Sequence, residues 1–436
     1  MCIFFRIFAD VLCLTIESPT IMKVAGNCCI MNSQATLLTN NNNNHHNIME
    51  IKELKQAFAK AYGKEATAVY FSPGRVNLIG EHTDYNGGSV FPCALSFGTY
   101  LLLAPNGTQT MRFKSLNMPE VVEVLVDKMT EPLPGKSWVN YPMGCFAWYV
   151  RQGHKFDQGL DVLIWGNVPA GAGLSSSAAL EVVAAFAAHD YLGLNYNHTD
   201  FAKIGQLAEH EFAGVNCGIM DQFASSWGKK DHAIHLNCDT LEFEHVPVKL
   251  NGIKVVIANT HSPHHLDSGA YNDRVAQCQL ALQQLRKVKP ELKNLAELTV
   301  AEFEKIENAI TDPVAHKRAR HVVGEVQRTS DAVKALKAGD IEKFGKLMNA
   351  SHVSLRDDYD VTGLQLDTMA EEAWKVPGVL GSRMTGGGFG GCTVSLVKDE
   401  AIEQFKKQVG ENYERITGIK PEFYVAEISD GARRIE

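Results

Sequence analysis

The stretch LDVLIWGNVPAGAGLSSSAALEVVAAFAAHDY, residues 160–191, joins a strand pattern, a glycine-rich loop and a helix pattern in one run. Residues 160–165 are mostly apolar and predict a buried strand, whereas the alanine-rich residues 176–192 predict a long helix. The loop between them, 167–177, therefore presents backbone amides at a helix N-terminus, where unpaired N–H groups and the helix dipole favour an anion. Its small residues allow close approach of a phosphate, and its three serines add hydroxyl groups. The loop favours a nucleotide site over a plain tight turn.

The composition of this loop excludes several nucleotide-binding classes. It contains no lysine and no G-x-x-x-x-G-K-[ST] pattern, so the chain is not a P-loop NTPase. The H-R-D and D-F-G motifs of protein kinases are also absent. A second glycine cluster, TGGGFGG at 385–391, matches G-x-G-x-x-G but is followed by the strand-like CTVSLV rather than a helix, which argues against a Rossmann site. That cluster fits either a tight loop between strands or a wall packed against a ligand.

Composition sets the broad class of the protein. The 436 residues are 45% hydrophobic and 21% charged, which predicts two globular domains. The net charge of −8, without a basic stripe, argues against a nucleic-acid partner. The sequence contains no apolar segment of 18 residues, so it predicts no membrane span. Its cysteines are scattered and form no C-x-x-C pair, which predicts a reducing, cytoplasmic location. Residues 1–48 lack a signal-peptide pattern and predict a disordered extension, or a start assigned upstream of Met49.

Strands and helices alternate without a steady βαβ rhythm, which predicts an α+β fold. The predicted strands are 69–72, 76–79, 99–104, 121–126, 160–165, 251–258, 392–397 and 421–428. The predicted helices are 50–62, 176–192, 201–212, 271–288, 301–311, 313–338, 340–348 and 365–375.

Three acidic segments are candidates for chemistry. GEHTDYN at 80–86 packs carboxylates and an imidazole into seven residues, which suits the hydroxyl groups of a sugar or forms a polar surface loop. Asp221, in the apolar segment CGIMDQF at 217–223, is either a helix cap or a group that accepts a proton from a substrate hydroxyl. Glu209 is either a metal-binding carboxylate or a surface residue of the helix 201–212.

Three motifs stand in an order typical of one enzyme family: SPGRVNLIGEHTDYNGG at 72–88, VPAGAGLSSSAALEV at 168–182 and MTGGGFGGCTVSLV at 384–397. Together with CGIMDQF, GAYNDR at 269–274 and SHVSLRDDYDV at 351–361, they make the chain resemble the galactokinases of the GHMP small-molecule kinase family, from about residue 50 to the end. The resemblance implies an α+β, two-domain GHMP kinase fold with the active site in the cleft between the domains. It divides the chain into an N-terminal domain, 49–250, with the sugar and phosphate motifs, and a C-terminal domain, 251–436.

The resemblance also implies an activity and a set of site residues. The expected reaction transfers the γ-phosphate of ATP to the C1 hydroxyl of α-D-galactose with Mg²⁺, in a monomeric enzyme. Asp221 matches the catalytic aspartate of the family and Arg75 the arginine that stabilises the transition state. The positions that match sugar-binding residues are Glu81, His82, Thr83, Asp84, Gly218 and Tyr271. The positions that match the ATP loop are Gly171, Ala172, Gly173, Leu174, Ser175, Ser176 and Ser177, and those that match magnesium ligands are Ser177 and Glu209.

Four points stay open at this stage. The acceptor could be another sugar, such as N-acetylgalactosamine or arabinose, which would change only the pocket near C2 or C6. A sensor that binds galactose and ATP without turnover is disfavoured because the serine loop, Asp221 and Arg75 are intact. Asp221 could act as a base or mainly position the hydroxyl, since a loose transition state needs little early deprotonation. The histidine-rich loop 261–265 has no interpretation.

Overall fold

The three-dimensional structure, a computed structural model, describes residues 49–436 except for a few short gaps. The gaps are Lys136, Ala170, Gly171, Tyr196 and residues 263–267. The prediction for residues 1–48 and most of the histidine-rich loop lie outside the described residues, as does Gly171 of the predicted ATP loop.

Thirteen strands and eleven α-helices form the described part of the chain. The strands are β1 (Ala68–Asn77), β2 (Ser89–Val90), β3 (Pro92–Pro105), β4 (Thr110–Ser115), β5 (Val121–Leu125), β6 (Leu160–Gly166), β7 (His232–Asn237), β8 (Phe243–Pro247), β9 (Ile253–Asn259), β10 (Val379–Thr385), β11 (Cys392–Lys398), β12 (Glu422–Ala426) and β13 (Arg433–Arg434). The helices are α1 (Ile51–Tyr62), α2 (Asn140–Arg151), α3 (Ser176–Tyr191), α4 (His198–Ala208), α5 (Met220–Trp227), α6 (Ser268–Leu285), α7 (Val300–Ile306), α8 (Pro313–Lys337), α9 (Ile341–Ser354), α10 (Gly363–Trp374) and α11 (Ile402–Thr417).

The strands form three sheets, and the helices pack in layers against them. A six-stranded sheet has the order β13-β1-β3-β6-β4-β5, in which only the pair of β4 and β6 is parallel. A four-stranded antiparallel sheet has the order β10-β11-β9-β12, and a three-stranded one has the order β2-β7-β8. This mixture of largely antiparallel sheets and helices confirms the predicted α+β class. None of the helices in the described part is long and apolar enough to cross a bilayer.

The four-stranded sheet is buried on both faces, because alternate residues of a strand point to opposite sides. In β9, Val255 and Ile257 pack in the core that also holds Val76 and Phe91 from the first half of the chain. Their neighbour Val256 packs in a second core, with residues of α10 and α11. One continuous apolar core therefore joins both halves of the chain. The domain boundary expected between residues 250 and 251 falls between β8 and β9 and stays a prediction.

Several local predictions differ from the structure. The two strands expected at 69–72 and 76–79 form the single strand β1, whose pairing with β3 shifts register between Pro73 and Arg75. A bulge at this point accommodates the proline without ending the strand. The helix expected at 201–212 is α4 followed by a π-helical turn, Glu209–Ala213. The elements that the sequence patterns did not predict are α2, α11, β2, β4, β7, β8, β10 and β13.

The last residues of the chain complete the six-stranded sheet. β13 pairs with β1, and beyond it the Ile435 amide donates to the Val69 carbonyl oxygen at 2.7 Å. Just before the strand, the Ala432 amide donates to the Ser225 carbonyl oxygen at 2.9 Å. Deleting residues 432–436 should therefore lower the free energy of unfolding by about 2–4 kcal/mol, since each lost hydrogen bond contributes about 1 kcal/mol. Urea unfolding monitored by circular dichroism measures the change.

A control variant distinguishes the contribution of β13 to stability from that of the ion pair at its end. Lys55 Nζ contacts Glu436 Oε2 at 2.7 Å, and both side chains are exposed. Lys55→Ala removes only this surface pair and should leave the unfolding midpoint nearly unchanged, because exposed ion pairs contribute little to stability. An unchanged unfolding midpoint in the truncated chain would show that β13 does not stabilise the sheet.

Candidate active site

A cavity of about 690 Å³ opens between segments from both halves of the chain. Its volume lies within the range of about 300–1,000 Å³ that is typical of small-molecule sites. The residues that line it are Arg75, Gly80, Glu81, His82, Asp84, Gly214, Val215, Asn216, Cys217, Gly218, Met220, Asp221, Tyr271, Asn272, Gly386 and Gly387. The structure thus brings the predicted catalytic pair together with five of the six predicted sugar-binding residues.

Arg75 and Asp221 form a bidentate ion pair at one side of the cavity. Arg75 Nε donates to Asp221 Oδ1 at 2.8 Å, and Arg75 Nη2 donates to Asp221 Oδ2 at 2.7 Å. The hydroxyl of Ser175 donates to the same Oδ2 at 2.6 Å. Asp221 lies in the first turn of α5 and remains 30% exposed, while the Arg75 side chain is 6% exposed. The carboxylate is therefore fixed in direction but still open to a substrate.

The bulged strand β1 touches the glycine-rich loop directly. Arg75 Nη1 donates to the carbonyl oxygen of Gly173 at 2.6 Å, and the Arg75 amide donates to that of Leu174 at 3.2 Å. A Cβ atom on Gly74 would lie 2.5 Å from the Leu174 oxygen, so only glycine allows this approach. The bulge thus couples the position of Arg75 to the loop that precedes α3.

Ser175 ends the loop in a left-handed conformation, with φ of 61°. Such a conformation strains a residue other than glycine. Its side chain bonds to Asp221 and caps no amide of α3. The first-turn amides of α3, which begins with Ser176 and Ser177, therefore face the end of the loop without a side-chain cap, as a phosphate site requires. Of the predicted loop, Ala172 and Leu174 are buried and Gly173 is exposed.

The carboxylate of Glu81 is held by three donors beside the cavity. Its Oε1 accepts from the Gly386 amide at 2.7 Å and from Arg383 Nη1 at 3.3 Å. Its Oε2 accepts from Asn77 Nδ2. Glu81 is 2% exposed, so these donors replace the water that a carboxylate would otherwise bind.

His82 lies next to Glu81 in a chain of polar rings. Its Nδ1 is 2.8 Å from the Tyr85 hydroxyl, which is 2.7 Å from the Tyr359 hydroxyl. Burial lowers the pKa of His82 to about 3, and the neighbouring His321 adds to this shift. The ring is therefore neutral at physiological pH. Thr83 is the one predicted sugar residue that does not line the cavity, because its hydroxyl is engaged inside the loop with the carbonyl oxygens of Gly80 and Ser89.

Asp84, Gly218 and Tyr271 also line the cavity. A Cβ atom on Gly218 would overlap Oδ2 of Asp84, so this close approach also requires glycine. Burial raises the pKa of Asp84 to about 6, and the negative charges of Asp221 and Glu81 add to the shift. Burial also raises the pKa of Tyr271, which keeps its hydroxyl protonated.

Ser177 and Glu209, the predicted magnesium ligands, lie near each other. Burial raises the pKa of Glu209, and the nearby Ser177 side chain opposes part of this rise. Glu209 Oε2 accepts from Gln222 Nε2 at 2.7 Å, and the same Nε2 donates to Glu181 Oε2 at 2.9 Å. Glu181 is fully buried, and its Oε1 has no hydrogen-bond partner among the described residues. Two desolvated carboxyl groups beside a hydroxyl form a set of hard oxygen atoms that suits Mg²⁺.

Protein groups alone do not complete a metal site in the described part of the chain. It contains no cluster of three or more histidine, cysteine, aspartate or glutamate side chains in metal-binding geometry. Mg²⁺ commonly takes one or two protein ligands and completes its shell with water and substrate phosphates. Ser177 and Glu209 fit that pattern.

The sequence patterns missed the residues that hold the segment 80–86 in place. His321, Glu325 and Thr329 are fully buried and lie one turn apart on α8. Glu325 Oε1 accepts from the Gly80 amide at 3.0 Å, and His321 Nε2 donates to the Glu81 carbonyl oxygen at 3.2 Å. The spacing of four residues between these polar groups is a signal that could have marked a polar face of the helix. Glu181, Gln222, Asn77 and Arg383 were likewise not predicted.

Three family models match separate parts of the chain. They are described as the galactokinase galactose-binding signature, at residues 56–105, the GHMP kinases N terminal domain, at 140–229, and the GHMP kinases C terminal, at 332–415.

Known proteins match the chain along most of its length. A galactokinase from Clostridium beijerinckii is 48% identical over 387 residues, which cover 88% of this chain and 99% of that protein. A crystal structure of Lactococcus lactis galactokinase complexed with galactose superposes with a TM-score of 0.83 at 43% identity, covering 88% of this chain and 99% of that one. The mevalonate kinase of Methanococcus jannaschii, at 15% identity and a TM-score of 0.60, covers 83% of this chain and 98% of its own and shares the fold.

The raised pKa of Asp84 predicts how stability depends on pH. Because folding raises this pKa from 3.8 to about 6, the fold disfavours the ionised carboxylate. The resulting penalty is absent below about pH 3, grows between the unfolded pKa of 3.8 and the folded pKa of about 6, and is constant at higher pH. Without sugar, Asp84→Asn should therefore be more stable than the wild type by about 1–3 kcal/mol at pH 8, and equal to it at about pH 3. Urea unfolding across this pH range measures the difference.

Asp157 supplies the control for this experiment, because its side chain is exposed. Asp157→Asn should leave stability unchanged at every pH in the series. A gain for Asp84→Asn that did not vary with pH would contradict the electrostatic explanation.

Proposed function

This chain belongs to the galactokinase family of the GHMP kinases, and we propose that it transfers the γ-phosphate of ATP to the C1 hydroxyl of α-D-galactose at the cavity beside Arg75 and Asp221. The observation that carries the proposal is the Asp221 carboxylate. Arg75 and Ser175 hold it, and it faces the same cavity as Glu81, His82 and Asp84. A phosphate site, a proton acceptor and a set of hydroxyl-binding groups thus adjoin one another.

The proposed reaction is an in-line displacement at the γ-phosphorus. The C1 oxygen of the sugar forms a bond to phosphorus while the bond to the bridging oxygen of ADP breaks. Asp221 receives the proton of the C1 hydroxyl or fixes that hydroxyl in line, and a positioned base contributes on the order of 10²–10⁴ in rate. Arg75 supplies a positive charge next to the reacting oxygens, and the first-turn amides of α3 bind phosphate oxygens.

The sugar hydroxyls are bound by Glu81, His82 and Asp84 in this proposal, with Gly218 and Tyr271 closing the wall. Glu81 is fixed as an acceptor by its three protein donors. His82 is neutral, so its ring offers one donor and one acceptor nitrogen. Asp84, with its pKa of about 6, accepts a hydrogen bond from a sugar hydroxyl when it is ionised. Donors and acceptors fixed in different directions are what a polyhydroxylated substrate requires.

We propose Ser177 and Glu209 as the protein ligands of Mg²⁺. Bound there, Mg²⁺ supplies charge neutralisation to the phosphate groups of ATP. Gln222 fixes the orientation of the Glu209 carboxylate through its hydrogen bond to Oε2.

We also propose that the enzyme acts as a monomer in a reducing compartment such as the cytoplasm. A single chain lines the cavity and provides both catalytic groups, which supports the first point. The six cysteines of the described part are free thiols, which supports the second. They are Cys93, Cys145, Cys217, Cys238, Cys278 and Cys392.

Asp221→Asn tests the catalytic assignment. The amide keeps the shape of the side chain but cannot accept the proton, so we expect kcat to fall on the order of 10²–10⁴-fold while the KM for galactose changes little. ADP release in the presence of ATP, Mg²⁺ and galactose measures the rate. Asp200→Asn, an exposed position on α4, is the matched control and should retain full activity. Retention of wild-type kcat by Asp221→Asn would refute the mechanism.

Glu209→Gln tests the magnesium assignment. We expect the Mg²⁺ concentration that supports half-maximal rate to rise at least 10-fold, because the ligand loses its charge. Electron paramagnetic resonance of Mn²⁺ with a non-hydrolysable ATP analogue should show weakened metal binding in the same variant. Glu211→Gln, two residues away, breaks only the exposed pair of Glu211 with Arg151 and should change neither property. Unchanged Mn²⁺ binding in Glu209→Gln would remove Glu209 from the metal site.

A further inference from the structure

The Glu81 carboxylate is oriented by two segments that lie about 300 residues apart in sequence. Asn77, at the end of β1, donates to Oε2, whereas Arg383 and Gly386, at the end of β10, donate to Oε1. The motif at 72–88 and the second glycine cluster, at 385–391, therefore meet at the side chain of Glu81. The loop after β10 acts on the cavity through Glu81, in addition to lining it with Gly386 and Gly387.

Arg383 is the largest fully buried side chain of the described residues. Its Nη1 donates to the carbonyl oxygen of Asn77 at 3.0 Å as well as to Glu81. Its Nε and Nη2 have no hydrogen-bond partner within the described part of the chain. A buried guanidinium is costly unless a carboxylate compensates its charge, and Glu81 lies within ion-pair distance.

Asn77 is itself rigidly held, so it acts as a brace for Glu81. Its Oδ1 accepts from the Phe91 amide at 3.1 Å. Its carbonyl oxygen accepts from the Thr385 hydroxyl at 3.0 Å, which links β1 to the end of β10. A rotation of the Glu81 carboxylate would break bonds to both strands at once.

The donors leave Glu81 with one free acceptor position. An ionised carboxylate offers about four lone-pair positions, two on each oxygen. The Gly386 amide and Arg383 occupy both positions of Oε1, and Asn77 occupies one of the two on Oε2. The remaining position on Oε2 is available to a single hydroxyl in the cavity.

We propose that Arg383 is a positioning residue for sugar selectivity, which acts by holding the Glu81 carboxylate so that Oε2 accepts one hydroxyl of the substrate. This inference rests on the proposed function, in which Glu81 binds the sugar. A sugar that lacks the recognised hydroxyl leaves a buried acceptor unpaired, and sites built in this way reject such analogues strongly. Without Arg383 the carboxylate can turn or take up a proton, and the selectivity for that hydroxyl decreases.

The test compares galactose with its 2-, 3-, 4- and 6-deoxy analogues by kcat/KM, in the wild type and in variants. In the wild type we expect one analogue to lose roughly 10²–10⁴-fold through Glu81. Glu81→Ala identifies it, because the loss for that analogue should disappear while the other losses remain. Arg383→Met should shrink the loss for the same analogue at least 10-fold and leave the other three within about 3-fold of the wild type. A merely structural defect would lower all five rates alike.

Two further variants keep the result interpretable. Ser395→Ala removes a buried hydroxyl bonded to Ser382, the neighbour of Arg383, without touching Glu81, and should leave the selectivity profile unchanged. Arg383→Lys keeps the buried charge but not the planar set of guanidinium donors. It should fold even if Arg383→Met does not, and it should show a partial loss of selectivity. Wild-type selectivity in the folded Arg383 variants would overturn the inference. An unchanged profile in Glu81→Ala would instead overturn the sugar-binding role of Glu81, so the two failures are distinguishable.

Discussion

The bidentate ion pair between Arg75 and Asp221 is the contact on which the arrangement of the site depends. It joins β1, which carries the arginine, to α5, which carries the aspartate, and the Ser175 hydroxyl links the glycine-rich loop to the same pair. A nearly buried guanidinium is stable only where a carboxylate and carbonyl oxygens surround it. The bulge at Pro73, the missing side chain at Gly74 and the left-handed Ser175 are local irregularities that let three elements reach this one pair. Their conformational cost is offset by the bonds made at it.

The cavity contains more negative charge than its own arginines neutralise, and the carboxylates differ in how they are treated. Asp221 and Glu81 each have an arginine partner, Arg75 and Arg383, which keeps them as fixed acceptors. Asp84 has no salt bridge within the described residues, and burial together with the charges of Asp221 and Glu81 raises its pKa. Glu181 and Glu209 likewise have no salt bridge within the described residues, and burial raises the pKa of both. A carboxylate that is paired with an arginine has a fixed geometry. A carboxylate without such a partner gains the most stability when a ligand binds, because the ligand restores the electrostatic balance.

The sequence predicted those parts of the site whose signals are local. A strand, a glycine-rich loop and a helix follow one another within 160–191, so adjacent residues are enough to predict these elements and to propose a phosphate site between them. The polar cluster after β1 is equally local. Arg383 and the polar face of α8 were missed because they act on residues 80 and 81 from about 240–300 positions away, and no short pattern encodes such a contact. The helix α11 was missed because Gly410 interrupts its pattern, while packing of Phe405 and Tyr413 in the core overrides that weakness.

The pairing of β13 with β1 has a consequence for how the protein is made. β1, which carries Arg75, is synthesised long before β13, its neighbour on one edge. At roughly 5–20 residues per second, the 356 residues that separate Asn77 from Arg433 take roughly 20–70 s to translate. For that time the edge of the strand that carries Arg75 lacks β13 as a partner and is open to pairing with other chains. Backbone pairing covers this edge once Arg433 and Arg434 have been synthesised.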